Sequence, residues 1–237
     1  MRRVWVVALV VLPSLVAAGD YTIVRRTKID AGSPQKQTEY WGRGRLVVDD
    51  AVQRTIVDFR KQQVTAIDKD ERTYWTMPLD RVVRQLVAIG AAVEALPEAA
   101  RDMLGLVRHV TVSPTGNTST IAGRDAKEYG IGGDGVRGFV WLAEELDPGT
   151  ILGDEAAAWW RGGGPLRGVG PLADVAQAIG EQKIRGMPMW VSVTTTSERS
   201  STTVESQVTA IREEAPPADI GRLPEGLRRE TPPLQAE

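Results

Sequence analysis

Between Val64 and Met77 the chain alternates. Val64, Ala66 and Asp68 fall on one side of an extended backbone and Thr65 and Ile67 on the other, after which Thr73, Trp75 and Met77 oppose Arg72, Tyr74 and Thr76. A period of two residues, in a stretch dominated by β-branched and aromatic side chains, predicts two strands. The polar residues Asp68, Lys69, Asp70 and Glu71 between them supply the turn. Upstream the pattern is the same. Residues 21–29 alternate and end in a loop at Ala31, Gly32, Ser33 and Pro34; residues 37–41, 45–48 and 52–59 follow as short strands, punctuated by Gly42, Gly44 and the pair Asp49 and Asp50. Strand after strand with no helix between them predicts an antiparallel meander, not a βαβ succession.

At Leu79 the period changes. Leu79, Val82, Val83, Leu86, Val87, Ile89, Val93 and Leu96 recur at steps of three and four, with Arg81, Arg84, Gln85 and Glu94 elsewhere, which predicts an amphipathic helix. Pro78 suits its first turn, and Pro97 breaks it before a further turn or two over residues 98–106. Its apolar stripe needs a cover, and the sheet on either side of it in sequence is the obvious one. Strands resume at residues 108–112, 118–122, 126–131 and 136–142, with turn-rich links at 113–117 and 132–135. A short helix at 154–161 carries Trp159 and Trp160 and ends at the flexible Gly162, Gly163 and Gly164. Another helix over 171–181 precedes a last hairpin, 188–196 and 201–211, and residues 215–237 form a Pro-rich tail that docks and then frays.

The N-terminus bears on compartment. Arg2 and Arg3 precede an almost wholly apolar run to Val16, and small residues at Ala17, Ala18 and Gly19 complete the pattern of a cleaved secretory signal over residues 1–18. About thirteen apolar residues interrupted by Pro13 and Ser14 fall short of the roughly 20 that span a bilayer. The expected organisation is therefore a leader, one domain over residues 19–214, and the tail. Length and composition are those of an ordinary globular chain. The formal charge of −2 becomes −4 without the two positive charges of Arg2 and Arg3, and the remaining Lys and Arg are scattered, which argues against nucleic-acid binding. With no cysteine there is no disulfide, thiolate zinc site, cysteine nucleophile or thiol-linked lipid.

Candidate chemistry is sparse. Gly130-Ile-Gly-Gly-Asp-Gly135 has the letters of a dinucleotide fingerprint, but a strand and not a helix follows it. Gly168 to Ala173 fits a looser variant with no buried strand leading in, and Ser33 and Lys36 have an S-x-x-K spacing without a K-T-G partner. Asp68 and Asp70 resemble a calcium-loop start, yet Thr73 and Leu79 stand where Gly and Glu are required. His109, the single histidine, lies in a predicted strand and has no nucleophile elbow to serve, and Asn117 sits in a glycosylation sequon in form only. No cofactor, metal or catalytic role is expected. Seven tryptophans against two phenylalanines is a less ordinary balance. Trp75 and Trp141 on strands, with Trp159 beside a hinge, either line a ligand cavity or fill a core.

Several pieces in order resemble the LolA-like periplasmic proteins, in particular an uncharacterised branch of them. They are Ile67-Asp68-Lys69-Asp70-Glu71-Arg72-Thr73-Tyr74-Trp75, then Ile121-Ala122-Gly123-Arg124-Asp125-Ala126-Lys127-Glu128-Tyr129, Gly138-Phe139-Val140-Trp141-Leu142, Gly186-Met187-Pro188-Met189-Trp190-Val191 and Pro224-Glu225-Gly226-Leu227. The resemblance implies an α+β fold: a curved antiparallel β-sheet, or half-barrel, with helices covering the concave face. Carrier members of that family hold acyl chains there. Many relatives bear a lipidated cysteine after the leader; Ala18 and Gly19 stand in that place, which implies a free periplasmic or secreted protein. The expected function is non-catalytic binding of a lipid or lipoprotein acyl chain by a lining that includes Trp75, Val83, Leu86, Trp141 and Trp159. The alternative is an envelope structural or protein-interaction module whose groove is filled by its own side chains. A hydrolase ranks third.

Overall fold

The computed structural model of the chain describes residues 19–42, 44–97, 110–153, 156, 171–196 and 200–232. Six strands come first: β1 (Tyr21–Ile29), β2 (Gln35–Gly42), β3 (Arg45–Asp49), β4 (Gln53–Asp58), β5 (Gln63–Asp68) and β6 (Thr73–Pro78). Each pairs antiparallel with the next. Helix α1 (Leu79–Glu94) leaves β6 directly, and its first residue is tied by its N–H to the Gln62 carbonyl at 2.8 Å. A second meander is built from β7 (Val110–Ile121), β8 (Arg124–Gly133), β9 (Val136–Ala143), β10 (Met187–Thr196) and β11 (Ser201–Glu213). Between β9 and β10 come α2 (Pro148–Leu152) and α3 (Pro171–Glu181). The two meanders join where β1 pairs with β11, and a two-residue β12 (Arg228–Arg229) lies parallel to β6. The result is one large, mostly antiparallel sheet in the order β12-β6-β5-β4-β3-β2-β1-β11-β10-β9-β8-β7.

The alternation seen in the sequence sets which side chains meet, because residues paired across antiparallel strands share a face. Tyr21 and Ile23 pair with Trp41 and Glu39; Trp41 with Leu46, Leu46 with Val57, Val57 with Val64 and Val64 with Met77. That face carries the main core, in which Ile23, Trp41, Leu46 and Val57 are wholly buried and to which Leu79 of α1 and Ile151 and Leu152 of α2 contribute. A second cluster joins Val112, Ile131, Val140, Leu142, Val191 and Val193 of the sheet to Val175 and Ala178 of α3. A third lies on the opposite face of β3 to β5, where Val47, Ile56 and Ile67 meet Tyr40, Tyr74 and two residues of the tail, Ile220 and Leu227. Apolar contacts on both faces explain why Val64, Thr65, Ala66 and Ile67 are all buried, a run an amphipathic strand would not show.

Local signals account for the ends of these elements. Glu71 N–H bonds the Asp68 carboxylate at 2.8 Å in the β5–β6 turn, closed by Arg72 at φ 52°. Asp147 caps α2 by accepting from the N–H groups of Gly149 and Thr150, with Pro148 following it. Residues 113–117, expected as a hairpin link, instead belong to β7. The register shifts between Pro114 and Thr118, with Gly116 at φ 85°, and the true turn is Ala122 and Gly123, at φ 50° and 79°. Two consecutive positive φ values suit a tight hairpin between twisted strands, whereas Ser-Pro-Thr-Gly-Asn is taken up as a bulge on an edge strand, where an irregularity disturbs only one ladder. The Gly130 to Gly135 motif likewise makes a hairpin, its Gly135 at φ 72°. The predicted leader, the turns at 98–106, His109 and the 154–161 helix lie outside the described residues, apart from Ala156. Among the described residues no helix is long and apolar enough to cross a membrane.

Candidate functional site

The junction of β6 and α1 presents an apolar surface that is only half covered. Trp75 shares its face with Val64 and Met77, and Val82 and Val83 sit one turn into α1; all three pack on the main core while staying partly exposed. Asp80, Arg81 and Arg84 are exposed, and Arg84 pairs with Asp80 one turn away at 2.6 Å. The helix thus meets the core with its valines and water with its charges.

Further along the same face, at the junction of the two meanders, lies a buried polar cluster that the linear sequence does not reveal. Arg25 donates through Nε to Glu39 at 2.7 Å, and both side chains are almost fully buried. Glu39 also accepts from Gln37 and from the Trp41 indole, each at 3.1 Å. A second Arg25 donor reaches the Pro188 carbonyl at 3.0 Å, where the register between β9 and β10 shifts. A bulge leaves backbone groups out of the ladder, and here a guanidinium takes one of them. Beside it the Thr27 and Ser206 hydroxyls are 3.1 Å apart. The only clue in the sequence was that Arg25 and Glu39 fall on the apolar side of their strands, in register with Ile23 and Trp41.

At the far end, around the β7–β8 turn, an open cleft of about 560 Å³ is lined by Thr118, Thr120, Asp125, Lys127, Leu142 and Glu144, among others. Most of the charges in and beside it are paired. Lys127 bonds Glu144 at 2.9 Å, and that contact raises the ammonium pKa; Arg124 bonds Glu145 and Glu213, with its pKa raised chiefly by the Glu213 bond. Burial, with the Glu213 charge next, pushes the nearby Tyr21 phenol up. Of the predicted lining residues whose side chains are described, Trp75, Val83 and Trp141, none borders this cleft. Among the described residues no three His, Cys, Asp or Glu side chains group to hold a metal ion.

The structure brings two of the predicted lining residues together and separates a third. Trp75 and Val83 pack on the same core. Trp141 also packs against that core, but it lies on the face opposite Val140 and Leu142, directly across from Trp190. Trp190 in turn meets Phe139 edge to face, with ring centres 4.8 Å apart. Leu86 is in α1, but its side chain lies outside the described residues, as does Trp159 altogether.

No family model matches the chain. No curated protein matches it either. Solved structures do: PNGF-II in its C2 crystal form, at 10% identity and a TM-score of 0.41, covering 90% of this chain and 30% of that one; an uncharacterised conserved protein from Thermus thermophilus, at 7% and 0.45, covering 90% of each chain; and MucB, at 11% and 0.37, covering 90% of this chain and 60% of that one. The chain thus spans less than a third of PNGF-II. Likenesses this loose assign neither fold family nor activity, so function has to be argued from the residues themselves.

Proposed function

We propose that the chain is a LolA-like half-barrel of the extracytoplasmic space that binds a hydrophobic or amphiphilic ligand, such as a lipid or lipoprotein acyl chain, between sheet and helices, without catalysis. The observation that carries this reading is the half-covered apolar strip of Trp75, Val82 and Val83 packed on the main core. Curvature is supported by the ion pair from Arg124 on β8 to Glu213 on β11, which are not neighbours in the sheet order. In this reading the helices lie over the concave face, and α1 is the moving cover. An acyl chain entering beneath it gains about 0.8 kcal/mol per methylene removed from water, and release requires the cover to lift. Compartment follows from the leader-like N-terminus.

The competing reading is an envelope interaction module whose groove is already full, favoured by Ile23, Trp41, Leu46 and Val57 being wholly buried by their own packing. Native mass spectrometry with lipid extraction, on protein purified from its own host, separates the two. A lipid at about one per chain, displaced by fatty-acid analogues and weakened by Trp75→Ala, is the expected result. A bare chain that also fails to take up a fluorescent fatty acid would sink the carrier and leave the module.

A further inference from the structure

The tail does more than end the chain. After Glu214 it turns at residues 217–222, where Ile220 N–H bonds the Pro217 carbonyl and Arg222 N–H that of Asp219. It passes Arg45 at Gly221 and places Ile220 and Leu227 on Val47, Ile56 and Ile67, on the opposite sheet face from the main core. It then adds β12 to the edge of β6: Arg228 N–H donates to the Arg72 carbonyl at 3.0 Å and Glu230 N–H to the Tyr74 carbonyl at 2.8 Å. Gly226, at φ 73°, allows the entry, since a side chain there would meet the Arg72 guanidinium at 3.1 Å. An apolar patch beside an open edge that accepts an extended segment is the geometry of strand addition.

We propose that this patch and edge form a strand-addition site that a second copy of the chain fills with its own tail, in exchange for the first. Three observations point to a second copy. The site is shaped by the tail itself, so an identical tail makes every contact again and the exchange is nearly neutral in energy. The anchor is slight: two half-buried apolar side chains and the short β12–β6 ladder, with Arg222, Leu223, Glu225, Arg228 and Arg229 exposed. And the connection is long. The 14 residue-to-residue steps from Glu214 to Arg228 reach about 46 Å when extended, against about 29 Å for the six strand spacings from β11 to β6. The tail therefore reaches its own site with slack to spare, and by the same slack a neighbour's. This proposal is independent of the groove on the other face.

The absence of cysteine makes the test direct. Arg228 and Thr73 are register partners, so Thr73→Cys with Arg228→Cys in the full chain places two thiols side by side across the β12–β6 pair. Oxidised in dilute solution, the protein is expected to give a covalent monomer; oxidised after incubation at high concentration, it should give a covalent dimer fraction that grows with concentration, read on a non-reducing gel. Adding Ile220→Asp and Leu227→Asp should abolish that fraction. Covalent monomer alone at every concentration, or no bond between the two cysteines at all, would overturn the proposal, as would a dimer fraction indifferent to the two aspartates. Because the wild-type chain also exchanges, isotopically heavy and light protein mixed at high concentration should give mixed dimers by native mass spectrometry. Their absence counts against the exchange even if the cysteine variant fails to fold.

Discussion

The two ends of the sheet are built on opposite principles. At the β6 end both faces are apolar: the start of α1 half covers one, Ile220 and Leu227 pack on the other, and β12 takes up the edge. At the β7 end the last strand is exposed over most of its length, rich in Thr and Ser, and interrupted by Pro114 and the shift near Gly116. An unpaired edge is a template for association, and proline and bulges are among the ways chains blunt one. One end is closed by adding chain and the other by spoiling the strand. The lesson is that the β6 end stores stability that can be lost, and the β7 end has little to lose.

The largest effect is expected where the two ends are joined. Glu39→Gln leaves the Arg25 charge buried with a neutral partner, and urea unfolding should show a loss of about 3–5 kcal/mol. A loss below about 1 kcal/mol, the scale of exposed pairs, would place the strength of the joint in the β1–β11 ladder alone. Next comes the β6 end itself: Ile67→Ala should cost about 2–5 kcal/mol by the same measurement, since the cavity lies beneath the tail and between two sheet strands. If the cost is a few tenths, the tail collapses onto the gap and the outer cluster is softer than its burial implies.

Thr22→Val should act in the other direction. The Thr22 hydroxyl is buried on the face of Tyr40 and has no hydrogen-bond partner among the described residues, so replacing it with a methyl of the same shape should raise stability by about 1 kcal/mol, seen as a higher melting temperature. A fall would mean that the hydroxyl is hydrated in solution. Asp58, on the tail side, supplies a pH-dependent contribution. Burial pushes its carboxyl up, but the Lys61 backbone N–H and the Arg45 guanidinium more than offset that, and its pKa lies below the ordinary value. A carboxyl lowered in the folded state adds stability above the unfolded pKa of about 3.9 and loses it as pH falls through the lower folded value. Asp58→Asn should therefore flatten the acid limb of a stability–pH curve and leave its alkaline limb unchanged. Smallest of all, Thr118→Ala on exposed β7 should stay within about 0.5 kcal/mol of the parent, and a larger loss would mean that this edge is covered in solution.

Much of this contrast was legible in the residues. Alternation located the strands of both meanders, the change of period at Leu79 located α1, and the helix expected over residues 171–181 is α3. These signals are local, repeated and redundant. What was not legible depends on pairing. The loop chemistry of residues 113–117 is shared by turns and bulges, and only the register decides between them. Ile220 and Leu227 are isolated apolar residues in a proline-rich stretch, with no period to show what they cover. Arg25 and Glu39 are 14 positions apart, and nothing short of the β1–β2 register brings them together. That Trp75 and Val83 pack on one core was reachable because a strand and the helix that leaves it must pack, whereas the face of Trp141 depends on where β10 shifts register.

The pairing of β1 with β11 also sets the order in which the chain can be made. Tyr21 waits for Glu213, so a strand finished early in synthesis has no final neighbour until nearly the whole chain has emerged. The first meander can assemble while the rest is still being added, but it does so with β1 as a raw edge that carries Tyr21, Ile23 and Arg25 unmatched on that side. A chain cut short anywhere before residue 201 would keep that edge for good. Such a fragment should be far stickier than its small loss of length suggests, because it lacks the partner for its central strand and not merely its end.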